Sequence, residues 1–199
     1  MARPRRQEER RANLVEATLA AVSERGLREI SLTDVAASAG LTRGAILYYY
    51  DDLDELLVEA HRAGVERFCD HRDAEVAAAG DARQQLAVAI RHGLPSGPDD
   101  ALLRLLYEFD VLAGTSELHD RLVETMYDRQ LGTYAGILAR GVASGEFAPE
   151  LDEHTLAMTL VALEDAYGLH IVAGNSRITV AEADRAMRAA AAALGAAPA

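Results

Sequence analysis

"SLTDVAASAGLTRGAILYYYDDLDELL", Ser31 to Leu57, holds three helix starts in one short span. Ser31 can cap a first helix, with Asp34 in the capping-box position and Val35, Ala36 and Ala39 on its buried side. Gly40 stops that helix, and Thr42 caps the next after only Gly40 and Leu41. Two short helices joined by a tight glycine turn form the geometry that sets the second helix in a DNA major groove, and generic helical hairpins share it. Tyr48, Tyr49 and Tyr50 then run into Asp51, Asp52, Asp54 and Glu55. Asp52 fits the N-cap and Glu55 the N3 position of a third helix, where negative charge meets the positive end of the macrodipole.

Helical spacing recurs on both sides. Upstream, Leu14, Ala17, Thr18, Ala21 and Val22 make one stripe of a helix from about Gln7 to Arg25, which Gly26 can end. Downstream, a long helix is predicted from Leu53 to about Ala79. Others follow at Asp81 to His92, Asp99 to Gly114, Glu117 to Val142, Asp152 to Ala173 and Thr179 to Leu194, with breaks rich in Gly, Pro, Asn or Ser. No stretch alternates as a strand does, so the chain is predicted all-α.

All 20 basic residues are arginine, and the formal charge is −12 over 199 residues. The charge is unevenly spread: up to Tyr50 arginines outnumber acids, whereas the remainder is strongly acidic and unsuited to a polyanion. Apolar runs are short and alanine-dominated, which predicts a soluble, untargeted, cytoplasmic chain with no membrane partner. A single cysteine, Cys69, excludes an internal disulfide and a Cys-rich zinc site.

The order of residues in 31–57, behind a helix ending in "ERG", resembles the DNA-binding domain of TetR-family transcriptional regulators. "TDVAASAGLTRGAI" matches that family's helix two, turn and start of helix three without a gap. The resemblance implies a three-helix helix-turn-helix DNA-binding domain over residues 1–52. A larger helical effector-binding and dimerisation domain would cover 53–199, giving about nine helices, a homodimer, double-stranded DNA as partner, a small-molecule effector and no cofactor. Where the family shows Tyr-x-x-aromatic-x-x-Lys, this chain has Leu47, Tyr50 and Leu53. Leu47 lacks the hydroxyl that would bond DNA, though its methyls can touch a thymine methyl.

Helical phase distributes the reading residues. Ile46 and Tyr50 should share the packed face, while Arg43 and Leu47 share the exposed one. Arg43 is the candidate base reader, since a guanidinium can bond guanine O6 and N7 together, with a solvated arginine as the plain alternative. Tyr48 is placed to donate to a phosphate, and Gly44 lets backbone approach DNA. Tyr49 lies between the faces, and packing and phosphate contact both stay open. Thr33 and Thr42 sit at helix starts suited to phosphate, or simply cap them. Arg3, Arg5, Arg6, Arg10 and Arg11 form a basic arm and first turn that can follow the DNA backbone, enter the minor groove or remain a solvated tail.

In the C-terminal part, Leu156, Leu160, Leu163, Tyr167 and Ile171 make an apolar stripe on which Glu164 falls, with Asp165 adjacent and His170 beyond Tyr167. "LLYEFDVL" sets Tyr107, Glu108 and Asp110 into another apolar helix, and Tyr127, Leu131, Tyr134 and Leu138 form a further stripe. Acids beside tyrosines suit a cationic amine effector; the alternative is that these acids pair with arginines at the dimer interface or face solvent. The "ALEDAYGL" segment faintly resembles choline-responsive members of the family. By position the last two long helices would form the dimer, with Ala157, Ala162, Ala186, Ala190 and Ala193 permitting close packing.

Other classes find little support. There is no paired Glu-x-x-His, no Gly-rich phosphate loop and no Gly-x-Ser-x-Gly, and His61, His71, His92, His119, His154 and His170 lack metal-ligand spacing. The chain is therefore expected not to be an enzyme. The remaining alternative is a helical adaptor or small-molecule-binding protein without DNA binding.

Overall fold

The computed structural model describes residues 2–110, 114 and 117–199, with the side chains of 2–6 excepted. Among the described residues there are nine helices and no strand. The first, α1 (Ala2–Arg25), starts ahead of the expected Gln7, because Pro4 falls in the first turn, where its missing amide would have no carbonyl to meet. The predicted basic arm is thus helical backbone, and the side chains of Arg3, Arg5 and Arg6 lie outside those described. Leu14, Ala17, Thr18, Ala21 and Val22 are buried as their spacing requires, and the Thr18 hydroxyl donates to the Leu14 carbonyl at 2.8 Å.

Helix α2 (Leu32–Ala39) begins at a capping box in which Ser31 and Asp34 each satisfy the other's backbone amide. It ends at Gly40, whose φ of 63° lies in the left-handed region. Thr42 caps α3 (Arg43–Ile46), a single turn that continues as a tight turn through Tyr49. Helix α4 (Leu53–Ala78) opens on Asp52, whose carboxylate accepts from the Glu55 amide at 2.9 Å. Glu55 in turn accepts from the Asp51 amide at 2.7 Å.

The remaining helices are α5 (Ala82–Gly93), α6 (Ala101–Asp110), α7 (Glu117–Ser144), α8 (Glu153–Val172) and α9 (Val180–Ala193). Asp81, Asp152 and Thr179 cap α5, α8 and α9. The predicted helix from Asp99 to Gly114 is observed to Asp110, and its residues 111–113 lie outside the described residues.

By contacts the chain divides into two compact units, Met1–Arg67 with Arg104–Val123, and Phe68–Leu103 with Glu124–Ala199. The sequence reading divides it at 52/53, at the start of α4; the contacts divide it within that helix. Leu14, Val35, Ile46, Tyr50, Leu56, Leu105 and Phe109 build the core of the first unit. Leu86, Ile90, Tyr134, Leu138, Leu156, Leu160 and Met187 build that of the second. Helix α8 is long and apolar enough to cross a membrane by length and composition alone, yet Leu156, Leu160, Glu164 and Ile171 lie buried in the second core.

Candidate nucleic-acid interface

In the first unit, α2, the Gly40 turn and α3 present one surface. Ile46 is 0% and Tyr50 1% exposed, so both anchor the segment in the core, as helical phase requires. The opposite side is open: Arg43 is exposed, Leu47 is 42% and Tyr48 71% exposed. Nothing lies within 4 Å of where a Gly44 side chain would begin, which leaves bare backbone on that side. Thr42 Oγ1 accepts from the Ala45 amide at 3.2 Å, so its own proton remains to be donated. Thr33 is exposed in the first turn of α2.

Tyr49 has a packing role: it is half-buried against the first core, and its ring meets Tyr48 edge-on at 5.0 Å between centroids. It therefore props the exposed phenol beside it. The N-terminus of α2 already holds an anion of its own. The Ser31 hydroxyl donates to Asp34 at 2.5 Å and, with the Ser31 amide and Arg25 at 3.1 Å, holds that carboxyl below its ordinary range.

Arg11 is tied into the protein. Its Nη1 donates to the Tyr49 carbonyl at 2.7 Å, its guanidinium carbon stands 4.2 Å over the Tyr50 ring, and Nη2 lies 3.6 Å from Glu55. Tyr50 donates back to the Arg11 carbonyl at 3.4 Å. No local pattern gives this role, because the partners lie 38 and 39 positions away.

The proposed effector residues are drawn from both units. Tyr107, Glu108 and Asp110 belong to the first unit; Tyr127, Tyr134, Glu164, Asp165, Tyr167 and His170 belong to the second. Glu108 accepts from the Leu27 amide at 2.6 Å and so closes the turn between α1 and α2. Glu164 is fully buried, and its oxygens accept four hydrogen bonds. Arg72 Nη1 and Nη2 donate at 3.1 and 2.8 Å, Gln130 Nε2 at 2.8 Å and the Tyr134 hydroxyl at 2.6 Å. Those bonds fill its acceptor sites and Arg72 meets its charge, so Glu164 has nothing left for a cation. Burial, then the Glu164 charge, pushes the Tyr134 phenol up, which keeps it protonated as a donor.

Asp165 differs. It is half-buried, accepts from Gln130 at 3.3 Å, and is pushed up to about 6 by burial first and by the neighbouring Glu164 charge second. Tyr167 is half-buried, while Tyr127 and His170 are exposed. Of the alanines expected between subunits, Ala157 is fully buried in the second core, whereas Ala162 and Ala193 are exposed. Met158 and Leu169 are large apolar side chains exposed on α8. Cys69 is buried, which pushes its thiol up to about 11 and leaves it no thiolate character at neutral pH.

Comparison with known proteins gives two family-model matches. Residues 14–60 match the bacterial regulatory proteins of the tetR family, and residues 92–175 match a tetracyclin repressor-like C-terminal domain. The transcriptional regulator TtgR of Pseudomonas putida is 31% identical over 170 residues, covering 79% of this chain and 78% of its own. A solved transcriptional regulator from Pseudomonas aeruginosa PAO1 is 27% identical with a TM-score of 0.79, covering 94% of this chain and 90% of its own. A regulator from Saccharomonospora viridis, solved in complex with choline, has the same fold, with a TM-score of 0.86 at 24% identity over 93% and 96% of the two chains.

Proposed function

The chain belongs to the TetR family of bacterial transcriptional regulators, and on that premise we propose that it is a repressor released from a palindromic operator by a small effector. The observation that carries the DNA-reading part is the split of one short segment: Ile46 and Tyr50 are sealed in the core while Arg43, Leu47 and Tyr48 stand out together. An α3 seated in the major groove would put Arg43 at a guanine edge and Leu47 at a thymine methyl. Tyr48, Thr42, Thr33 and the bare backbone at Gly44 would then face phosphate. Tyr49 serves this surface from behind, by packing.

A two-fold dimer matches the palindrome and spaces the two heads by about 34–36 Å, one helical turn of DNA. Met158, Ala162 and Leu169 form an exposed apolar stripe on α8, which supports α8 with α9 as the pairing surface. Effector binding would change head spacing so that both half-sites cannot be held at once.

For the effector we propose a cationic amine with Asp165 as its anionic partner. The raised Asp165 carboxyl would be stabilised as the anion by an incoming positive charge, and the Saccharomonospora viridis regulator binds the quaternary amine choline. Because Asp165 ionises at about 6, amine affinity should rise from pH 5 to pH 7. Thermal-shift titration with choline at both pH values tests this; no shift with any amine at either pH rejects the class.

Selection of bound fragments from the genome of origin, followed by gel shifts, tests the DNA reading. The Arg43→Ala, Tyr48→Ala double variant should lose the selected sites. Persistent binding by that variant would contradict the assigned reading surface. A chain that selects no duplex, and shows no salt-dependent affinity for DNA, would instead be the helical adaptor.

A further inference from the structure

An α3 of one turn cannot hold itself: a lone helical turn fixes several dihedrals for very few hydrogen bonds, and its last carbonyls have no partner within the helix. Something outside must set its pitch. Ile46 and Tyr50 fix one side by burial. The exit of the segment, next to Tyr48, is also held by a side chain from α1, that of Arg11.

We propose that Arg11 is a positioning residue for DNA reading, holding the end of the recognition segment and the start of α4 in one geometry rather than contacting phosphate itself. The inference rests on the DNA-reading function proposed above. Its Nη1 donates to the Tyr49 carbonyl at 2.7 Å, a charge-assisted bond to the turn that follows α3. The guanidinium carbon lies 4.2 Å from the centre of the Tyr50 ring, over its face, and Nη2 faces Glu55 at 3.6 Å. Glu55 holds the Asp51 amide with its other oxygen, so Arg11 reaches both the last turn of one element and the first of the next. The Tyr50 hydroxyl closes the loop by donating to the Arg11 carbonyl. A lysine retains the charge but has neither the planar fork nor the flat face that these contacts use together.

The experiment compares the full-length wild type with Arg11→Lys and Arg11→Met on a duplex selected by the wild type from a random pool. Affinity is measured across a salt series, and amide exchange of residues 47–50 is measured without DNA. Both variants should bind about tenfold or more weakly. The slope of log affinity against log salt should stay unchanged, because no phosphate contact is lost. The amides of Leu47, Tyr49 and Tyr50 should exchange faster in the free variants.

Recovery of wild-type affinity by Arg11→Lys would overturn the proposal, as would a slope lower by about one in Arg11→Met; either makes Arg11 a phosphate contact. Unchanged affinity or unchanged exchange would overturn it as well. If Arg11→Met does not fold, the Lys variant decides alone. Failure of the wild type to select any duplex would remove the functional reading together with this proposal, and is recognised before any variant is compared.

Discussion

Arg72 and Glu164 stand 92 positions apart in sequence and meet through two guanidinium–carboxylate hydrogen bonds, of 3.1 and 2.8 Å, with 2% and 0% of their side chains exposed. Arg72 also lies over the Tyr134 ring at 4.7 Å. The pair is a polar knot inside an otherwise apolar core.

Breaking one side of this pair leaves a buried charge without its partner. Glu164→Gln or Arg72→Met alone should therefore cost about 3–5 kcal/mol. The double variant Arg72→Met, Glu164→Gln, which removes both charges and keeps an amide oxygen to accept from Tyr134 or Gln130, should recover part of that loss. Urea unfolding of the three variants checks the order; a double variant as unstable as the singles would refute it.

Gly93, near the end of α5, gives the carboxylate its room. A Cβ there would stand 2.1 Å from Glu164 Oε2, an oxygen held in place by Arg72 and Tyr134. Gly93→Ala should cost about 1–3 kcal/mol by overpacking. In a Glu164→Ala background the same change should cost far less, because the obstacle is gone. The coupling is read from a double-mutant cycle in urea; additive values would show that Glu164 is not what the new methyl meets.

His61 gives acid sensitivity. Its ring stacks on Phe109 at 4.2 Å between centroids, its Nδ1 lies 3.3 Å from His119 Nδ1, and burial followed by the His119 charge lowers it to about 4. His119 is lowered by burial as well, against smaller raising contributions from Asp54 and Asp120. Between the ordinary histidine value and about 4, the unfolded chain binds a proton that the folded chain refuses, so stability falls as pH falls through that window. His61→Phe should abolish its share, about 3 kcal/mol between pH 7 and pH 4. The difference between variant and wild type isolates this share from Asp165, which titrates in both. Equal pH slopes for the two proteins would count against the assignment.

Leu47 should make the protein a methyl reader. Replacing thymine by uracil, one site at a time, removes only the methyl group. One position per half-site should weaken wild-type binding, and Leu47→Ala should lose that discrimination while keeping the guanine preference assigned to Arg43. Uniform tolerance of uracil by the wild type would place Leu47 off the bases.

What the sequence made legible is what depends on near neighbours. The Ser31–Asp34 box, the Gly40 stop, the Thr42 cap and the inward turn of Ile46 and Tyr50 are each set within a few residues, and each is found where expected. The fates of the acids were not legible in the same way. Glu164 lies on an apolar stripe as read, but its partner Arg72 comes from another helix, and Glu108 is taken by a turn 81 positions away. Arg11 misled for the same reason: among neighbouring arginines it reads as part of a basic arm, and only tertiary packing brings it to Tyr49 and Tyr50. The start of α1 at Ala2, ahead of the expected Gln7, was not legible either, since a proline in the first turn permits a helix without requiring one.

The close approach of Gly93 to Glu164 also bears on descent. As long as position 164 is an acid locked by Arg72 and Tyr134, a side chain at 93 is selected against. A lineage gains alanine at 93 without that cost only after the carboxylate has gone. Among related sequences the two positions should therefore change in that order, with glycine at 93 accompanying glutamate at 164, and the pair becomes a marker of which relatives keep this buried knot.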